Sequence, residues 1–301
     1  MKSEKLVQIK GSTWYIDSTV TLPVYFLNDK DIILIDSGYK DKDRANIQEV
    51  VESYGLNVKA AIASHTHIDH TGNFAWLREN YKTELIMNDV EAAISADPDF
   101  ISYLYRPTHT FILKSEIEHI FVKPDRVYSK EDREIDICGA KFKLIPAPGH
   151  TLGQTLIVTP DDVCYLADAI ISESMLESSK MLTSMDWSND FKSREMLLSL
   201  DYPKYVLAHS GVYDDIKDLV AKNNLKRQNL SAFVLNVLKG REEWTISEIE
   251  RAVYKALDMH TTKNHQMSIF RRNLSCLLEF LVHEELLKWA FKEGTLVYFV
   301  V

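Results

Sequence analysis

Between Ser64 and His70 the chain reads SHTHIDH, which places three of its ten histidines and a carboxylate in a run of six residues. Imidazole and carboxylate together suit a borderline cation such as zinc. In extended backbone, residues two apart project to the same side, so His65 and His67 can grip one ion. Asp69 and His70, adjacent and farther on, can point to a second ion beside the first. One loop cannot complete either coordination sphere, so the fold must deliver more ligands to this point. The preceding run, VKAAIAS, reads as a buried strand that ends at the loop. The chain therefore needs an architecture in which several strand ends converge.

Three other side chains meet that requirement. His150 follows LIPAPG, Asp168 follows VCYLA and His209 follows YVLA, each directly after an apolar strand-like run. A lone strand-end histidine or aspartate more often caps a turn than binds metal; it is the company of the HTHIDH loop that raises these three. Of the remaining histidines, His260, His265 and His283 fall in the C-terminal tail and are expected at the surface. His109 and His119 lie in an insertion and are poor ligand candidates.

The first half alternates strands with helices. TWYID, LPVYFLN and DIILID are short β-branched and aromatic runs, and KDRANIQEVVESYG places Ile47, Val50, Val51 and Tyr54 on one helical face before a C-cap glycine. GNFAWLREN reads as a helix and TELIM as a strand. From about residue 135 strands resume with EIDICG, AKFKLIPAP, QTLIVTP and VCYLAD, the last two joined by a Pro160-Asp161-Asp162 turn. The helix DFKSREMLLSL and the strand KYVLAH follow. Two β-rich halves, each with helices, imply an α/β protein with a sheet-on-sheet core and helices outside.

Beyond about residue 222 the pattern changes. QNLSAFVLNVLKG is an amphipathic helix, TISEIERAVYKAL opens with a Thr N-cap and a Glu three residues on, and QMSIFRRNLSCLLEFLVHEELL is a longer helix. KWAFKEGTLVYFV then reads as two strands around Lys292-Glu293-Gly294. Helices followed by a hairpin is the order of a winged-helix module. The expected division is 1–221 for the metal-binding body and 222–301 for the tail, with the boundary in the polar stretch KNNLKRQN.

HTHIDH, then PGHT, then a lone Asp at a strand end and a late His resembles the metallo-β-lactamase superfamily over roughly residues 5–215. The resemblance implies a four-layer αββα sandwich, here with a small winged-helix-like α+β domain appended. It also implies a dinuclear centre. His65, His67 and His150 would hold the first metal, Asp69, His70 and His209 the second, and Asp168 would bridge both. Zinc suits these donors best, with iron and manganese also accepted. Flavodiiron-type relatives carry Glu at the position of His67, and many β-lactamases place a Cys on the second metal. The all-O and N second site here is similar to the glyoxalase II, lactonase and RNase Z branches. Asp36, in LIDSG, matches a family carboxylate beside the metal loop that orients ligand histidines.

The implied activity is hydrolysis by a hydroxide shared between the metals, with Asp69 orienting it and passing a proton to the leaving group. The expected substrate is a small ester, thioester or lactone. Two alternatives stand beside it: a metal-dependent endoribonuclease or phosphodiesterase that uses the tail for nucleic acid, and a non-catalytic regulatory or binding protein. Charge bears on the choice. The net charge is −9; residues 222–301 hold 12 basic and 9 acidic residues, and the body holds 23 basic and 35 acidic. An acidic body repels polyanions. Arg271 and Arg272 sit on the longest tail helix, the groove-reading position of a winged helix, although such modules also pack on their own chain or form homodimers.

Residues 97–127 carry Phe100, Tyr103, Tyr105, Phe111 and Phe121 and could cover the site or pack against the tail, and Met175, Met181 and Met185 could line an apolar pocket. Cys138, Cys164 and Cys276 are scattered and unpaired in pattern, which argues against a disulfide framework or thiolate site. The N-terminus lacks an apolar run of signal-peptide length, and no eighteen apolar residues run together. The expectation is a cytoplasmic protein with no membrane contact.

Overall fold

The computed structural model describes residues 2–99 and 117–301. Strands β1 (Leu6–Lys10), β2 (Thr13–Ile16), β3 (Leu22–Phe26), β4 (Asp31–Ile35), β5 (Asn57–Ile62), β6 (Glu84–Asn88) and β7 (Arg126–Tyr128) form one sheet in sequential order. β1 to β4 are an antiparallel meander, and β4 to β7 run parallel. A second sheet, in the order β13-β12-β11-β10-β9-β8, is built from β8 (Glu134–Ile137), β9 (Ala140–Pro146), β10 (Thr155–Val158), β11 (Val163–Ala167), β12 (Lys204–Leu207) and β13 (Gly211–Tyr213).

The alternation of side chains along β10 and β11 explains the layering. Ile157, Val163 and Tyr165 point inward and share a core with Val24, Ile33 and Phe142. Leu156, Val158, Cys164 and Leu166 point the other way and pack against Leu176, Leu197, Leu219 and Val220 on helices. Strands buried on both faces read as continuous apolar runs, as these do. Helices α1 (Lys42–Tyr54), α2 (Phe74–Tyr81) and α3 (Asp89–Ser95) lie along the first sheet, with Ile47, Val50, Val51, Phe74, Leu77 and Ala92 in its core. Helices α4 (Glu173–Ser178), α5 (Trp187–Leu197) and α6 (Lys217–Leu238) cover the second sheet. The result is the expected αββα sandwich.

α6 does not stop at the body. The polar stretch expected to hold the boundary, residues 222–229, is helical and continuous with both flanks. Two of its polar residues are buried with dedicated partners: Asn223 bonds the backbone of Ile171, and Arg227 meets Asp190. After α6 come β14 (Trp244–Thr245), α7 (Ile246–Ala256), α8 (Asn264–His283), β15 (Leu287–Lys292) and β16 (Thr295–Val300), with sheet order β14-β16-β15. The capping box between Thr245 and Glu248 forms. Leu230, Val234, Ile249, Phe270, Leu274 and Leu277 make the core of this part, but Trp187 of α5 is buried in the same cluster, and Phe191 stacks on Phe280 at 5.4 Å. The tail is thus seated on the second helical layer.

Candidate metal centre

All seven side chains singled out in the sequence come together at one end of the sandwich. One donor atom from each of His65, His67, His150 and Asp168 lies within 4.8 Å of the others, and the same holds for Asp69, His70, Asp168 and His209. Asp168 belongs to both groups.

The elements explain the convergence. β5 delivers the His65–His70 loop, the β9–β10 connection delivers His150, and β11 and β12 end just before Asp168 and His209. β11 and β12 are parallel neighbours, so their ends lie side by side. The backbone is forced at these ends: Asp36, Ala167 and Ser210 all have positive φ, at 60°, 46° and 122°. Non-glycine residues in this region cost about 1 kcal/mol or more each. Gly149 has φ of 141°, and a Cβ there would stand 2.3 Å from Cα of Asp190. Only glycine lets the loop that carries His150 lie this close to α5.

The donor chemistry fits a cation. His65 Nε2 and His150 Nε2 stand 3.1 and 2.9 Å from His67 Nδ1, three imidazole nitrogens facing a single point. In the other group His70 Nε2, and between the two Asp168 Oδ1, are buried with no hydrogen-bond partner among the described residues. Buried polar atoms are rarely left so, unless a ligand completes them. Burial and the neighbouring histidines push His65 and His67 well below the ordinary imidazole range, and burial lowers His150. Neutral imidazoles keep a lone pair for a metal.

In the other group burial would lower His70 too, but Asp36, Asp168 and Asp69 outweigh it and hold the ring well above its usual value. His209 rises against burial through Asp69 and Asp168. Asp69 and Asp168 are lowered, since His70 and its neighbours overcome the burial that would raise them. Both carboxylates are therefore anionic near neutrality, as metal ligands must be.

Asp36 occupies the place expected of it. Its carboxylate accepts from Ser64 N–H at 2.7 Å, Ser64 Oγ at 2.6 Å, His70 Nδ1 at 2.7 Å and Tyr165 Oη at 2.8 Å. A carboxylate only accepts, so the His70 proton sits on Nδ1 and Nε2 faces the cluster.

Sequence reading missed Glu91, because α3 was not recognised between TELIM and the insertion. Its buried carboxylate accepts from Thr66 N–H at 2.9 Å and Thr66 Oγ1 at 2.5 Å, and from Thr151 Oγ1 at 2.8 Å and Gly153 N–H at 3.0 Å. It ties the His65–His70 loop to the loop bearing His150. Tyr39 was also missed; burial, Asp69 and Asp168 raise its phenol pKa, so it stays protonated beside Asp69.

The centre opens into a cavity of about 570 Å³. Its walls include Tyr39, Ile68, Ile117, Met175 and, from α8, His265, Ile269 and Arg272. His265, expected at the surface with the tail, is half-buried and lines this cavity. Of the three methionines, only Met175 reaches the cavity, while Met181 packs against the tail core. Phe100, Tyr103, Tyr105, His109 and Phe111 lie outside the described residues. Phe121 packs with Ile117 and Ile120, and His119 is in neither donor group.

A sequence model of the Metallo-beta-lactamase superfamily matches residues 21–209. The chain belongs to the metallo-β-lactamase superfamily. Relatives named as hydrolases match it as well. A "Probable metallo-hydrolase" of Streptococcus pyogenes is 26% identical over 157 residues, which is 50% of this chain and 62% of that protein. A hydroxyacylglutathione hydrolase of Buchnera aphidicola is 23% identical over 265 residues, spanning 86% of this chain and 91% of the relative. Among solved structures, a metallo-beta-lactamase family protein of Thermus thermophilus superposes with a TM-score of 0.70 at 17% identity, covering 94% of each chain. That likeness extends the shared metallo-β-lactamase fold well into the C-terminal elements. No helix among the described residues is long and apolar enough to cross a membrane.

Proposed function

We propose that the seven side chains hold two divalent cations and that the protein hydrolyses a small ester, thioester or lactone. His65, His67 and His150 would hold one ion, Asp69, His70 and His209 the other, and Asp168 both; imidazole and carboxylate donors favour zinc, and accept iron or manganese. Bound there, the pair would supply an activated water and a Lewis acid for the substrate oxygen. The chain's own part is to fix this chemistry in place. Asp36 sets the His70 tautomer, Glu91 holds the two ligand loops in register, and anionic Asp69 at the cavity wall accepts and returns a proton.

One observation carries the substrate reading: the centre faces a partly apolar cavity of about 570 Å³, within the usual size of small-molecule sites at roughly 300–1,000 Å³. The relative named hydroxyacylglutathione hydrolase supports acyl chemistry. The tail, with helices, a short strand and a hairpin in the order α6-β14-α7-α8-β15-β16, is read as a winged-helix-like unit. It offers little to nucleic acid: Arg271 is paired with Glu250 at 3.1 Å, and Arg272 belongs to the cavity wall. Metal analysis of the purified, reconstituted chain should give about two ions. Fewer than one would end the assignment. The loaded protein should turn over members of an acyl-thioester, ester and lactone panel and leave a labelled single-stranded RNA intact. RNA cleavage without acyl turnover would reverse the substrate reading.

Glu91 gives a separate check. Each of its oxygens accepts two donors, so Glu91→Gln forces an amide N–H₂ against two of them. Metal affinity should fall about 10- to 100-fold, as for other residues that orient ligands. Competition with a chelator measures it, and unchanged affinity would show that the two loops hold their register without this carboxylate.

A further inference from the structure

Helix α8 brings an apolar side chain to the metal cavity. Phe270 and Leu274 are buried in the tail core, which holds the helix, and Ile269 stays half-buried on the cavity side. It does not stand alone there. Ile68 of the His65–His70 loop, Ile117 just ahead of the turn at Glu118–Ile120, and Met175 of α4 line the same cavity. Ile68 is 39% exposed although it lies between two donor residues, His67 and Asp69. The apolar wall therefore begins at the donor cluster itself. Isoleucine and methionine side chains from four separate segments around one opening make a surface of the kind that receives a ligand.

We propose that Ile68, Ile117, Met175 and Ile269 form an acyl subsite, and that the substrate carries an uncharged apolar acyl chain. The inference rests on the acyl-hydrolase reading above and narrows its substrate class. The polar part of the wall has other commitments. His67, Asp69, His150, Asp168 and His209 belong to the donor groups. The Tyr39 phenol bonds Asp69, and Thr183 Oγ1 accepts from Asn273 at 3.4 Å. His265 and Arg272 have interactions of their own, and Arg272 Nε and Nη1 are out of solvent. Among the described wall residues, a substrate carboxylate would thus meet no uncommitted lysine or arginine. Burying an unpaired carboxylate is costly. A methylene gains instead: each one taken out of water by the wall is worth about 4-fold in affinity.

The test uses the full, metal-loaded chain and a series of N-acetylcysteamine thioesters with acetyl, butanoyl and hexanoyl chains. Wild type should gain at least about 10-fold in kcat/KM from acetyl to hexanoyl, short of the full value of four buried methylenes. The monothioester of adipic acid, which puts a carboxylate where hexanoyl has its methyl, should fall at least about 10-fold below hexanoyl. Ile269→Trp fills the subsite from α8 and Met175→Trp fills it from α4. In each, the hexanoyl-to-acetyl ratio should drop to less than about 3, since overfilling a packed space removes room for the chain. Ile269→Leu, which keeps the volume, should keep the gradient.

A readout independent of turnover is calorimetric titration with phenyl ketones, which keep the carbonyl but cannot be hydrolysed. Hexanophenone should bind wild type and Ile269→Leu at least about 10-fold more tightly than acetophenone does, and the tryptophan variants by less than about 3-fold. A flat series in wild type, a preference for the adipic monothioester, or a gradient that survives in both tryptophan variants would each overturn the proposal. Should no thioester react, the hydrolase reading fails by itself, and the ketone titration still decides the subsite. If Ile269→Trp does not fold, Met175→Trp and Ile269→Leu decide it.

Discussion

Asp69→Ala is expected to lower turnover about 10²- to 10⁴-fold, the range of a lost general acid–base, while the ion held by His65, His67 and His150 stays bound. The geometry separates the two effects. Asp69 belongs only to the donor group with His70 and His209, and its Oδ2 lies 3.1 Å from His209 Nε2 and 3.8 Å from His70 Nε2. Its carboxyl is lowered despite burial, because His70 and His209 favour the anion. It is therefore an anion near neutrality, the form a proton-accepting group must start from. Tyr39, with its phenol pKa raised, sits beside it as a donor and not as a competing base. Turnover and metal content measured on one preparation test this, with Asp69→Asn as the companion that keeps an oxygen but cannot take the proton. Near-normal turnover in the alanine variant would remove Asp69 from the chemistry.

Why was this cluster readable from the chain, when much around it was not? Metal ligands are few in kind and must be polar, so HTHIDH and the three strand-end residues stand out against apolar strands. Hydrophobic periodicity gave the sandwich for the same reason: β10 and β11 are apolar on both faces because both are covered. The supporting contacts have no such mark. Glu91 resembles any acidic residue in a helix's first turn; only the fold reveals four donors around its carboxylate. Asn223 and Arg227 stood in the sequence only as part of a polar stretch, because polarity alone does not say whether a partner is waiting. His265 and Arg272 were assigned to the surface and to a groove-reading face on the local pattern of the tail. Where α8 docks is decided by Trp187 and Phe191 meeting Phe280 from far along the chain, and no local pattern encodes that.

That docking leads to the second large effect, which falls on stability. Asp190 on α5 is buried between two arginines: Arg194 Nη1 stands 2.6 Å from Oδ1, and Arg227 Nε of α6 stands 2.6 Å from Oδ2. Arg194 also donates from Nε to Asn224 at 2.6 Å. Asp190→Ala leaves two buried guanidinium groups without their shared counter-charge, which should cost about 3–5 kcal/mol. Chemical denaturation at neutral pH measures the loss.

The pH dependence has a definite sign. Burial would raise the Asp190 pKa, but Arg227 and Arg194 lower it below the ordinary carboxylate value. A group lowered on folding stabilises the native state above its unfolded pKa, about 3.9, and that contribution is lost as pH falls through the lower folded value. The gap between wild type and variant should thus be full at pH 7 and shrink only in acid. The same substitution should reach the metal. Gly149 is fitted against the backbone of Asp190, and His150 is the next residue, so loosening α5 frees a ligand loop. Asp190→Ala should then also weaken the ion held by His65, His67 and His150. A variant that loses less than about 1 kcal/mol, the worth of a surface ion pair, would mean that the arginines find water or other partners, and that α5 and α6 are held by their apolar contacts alone.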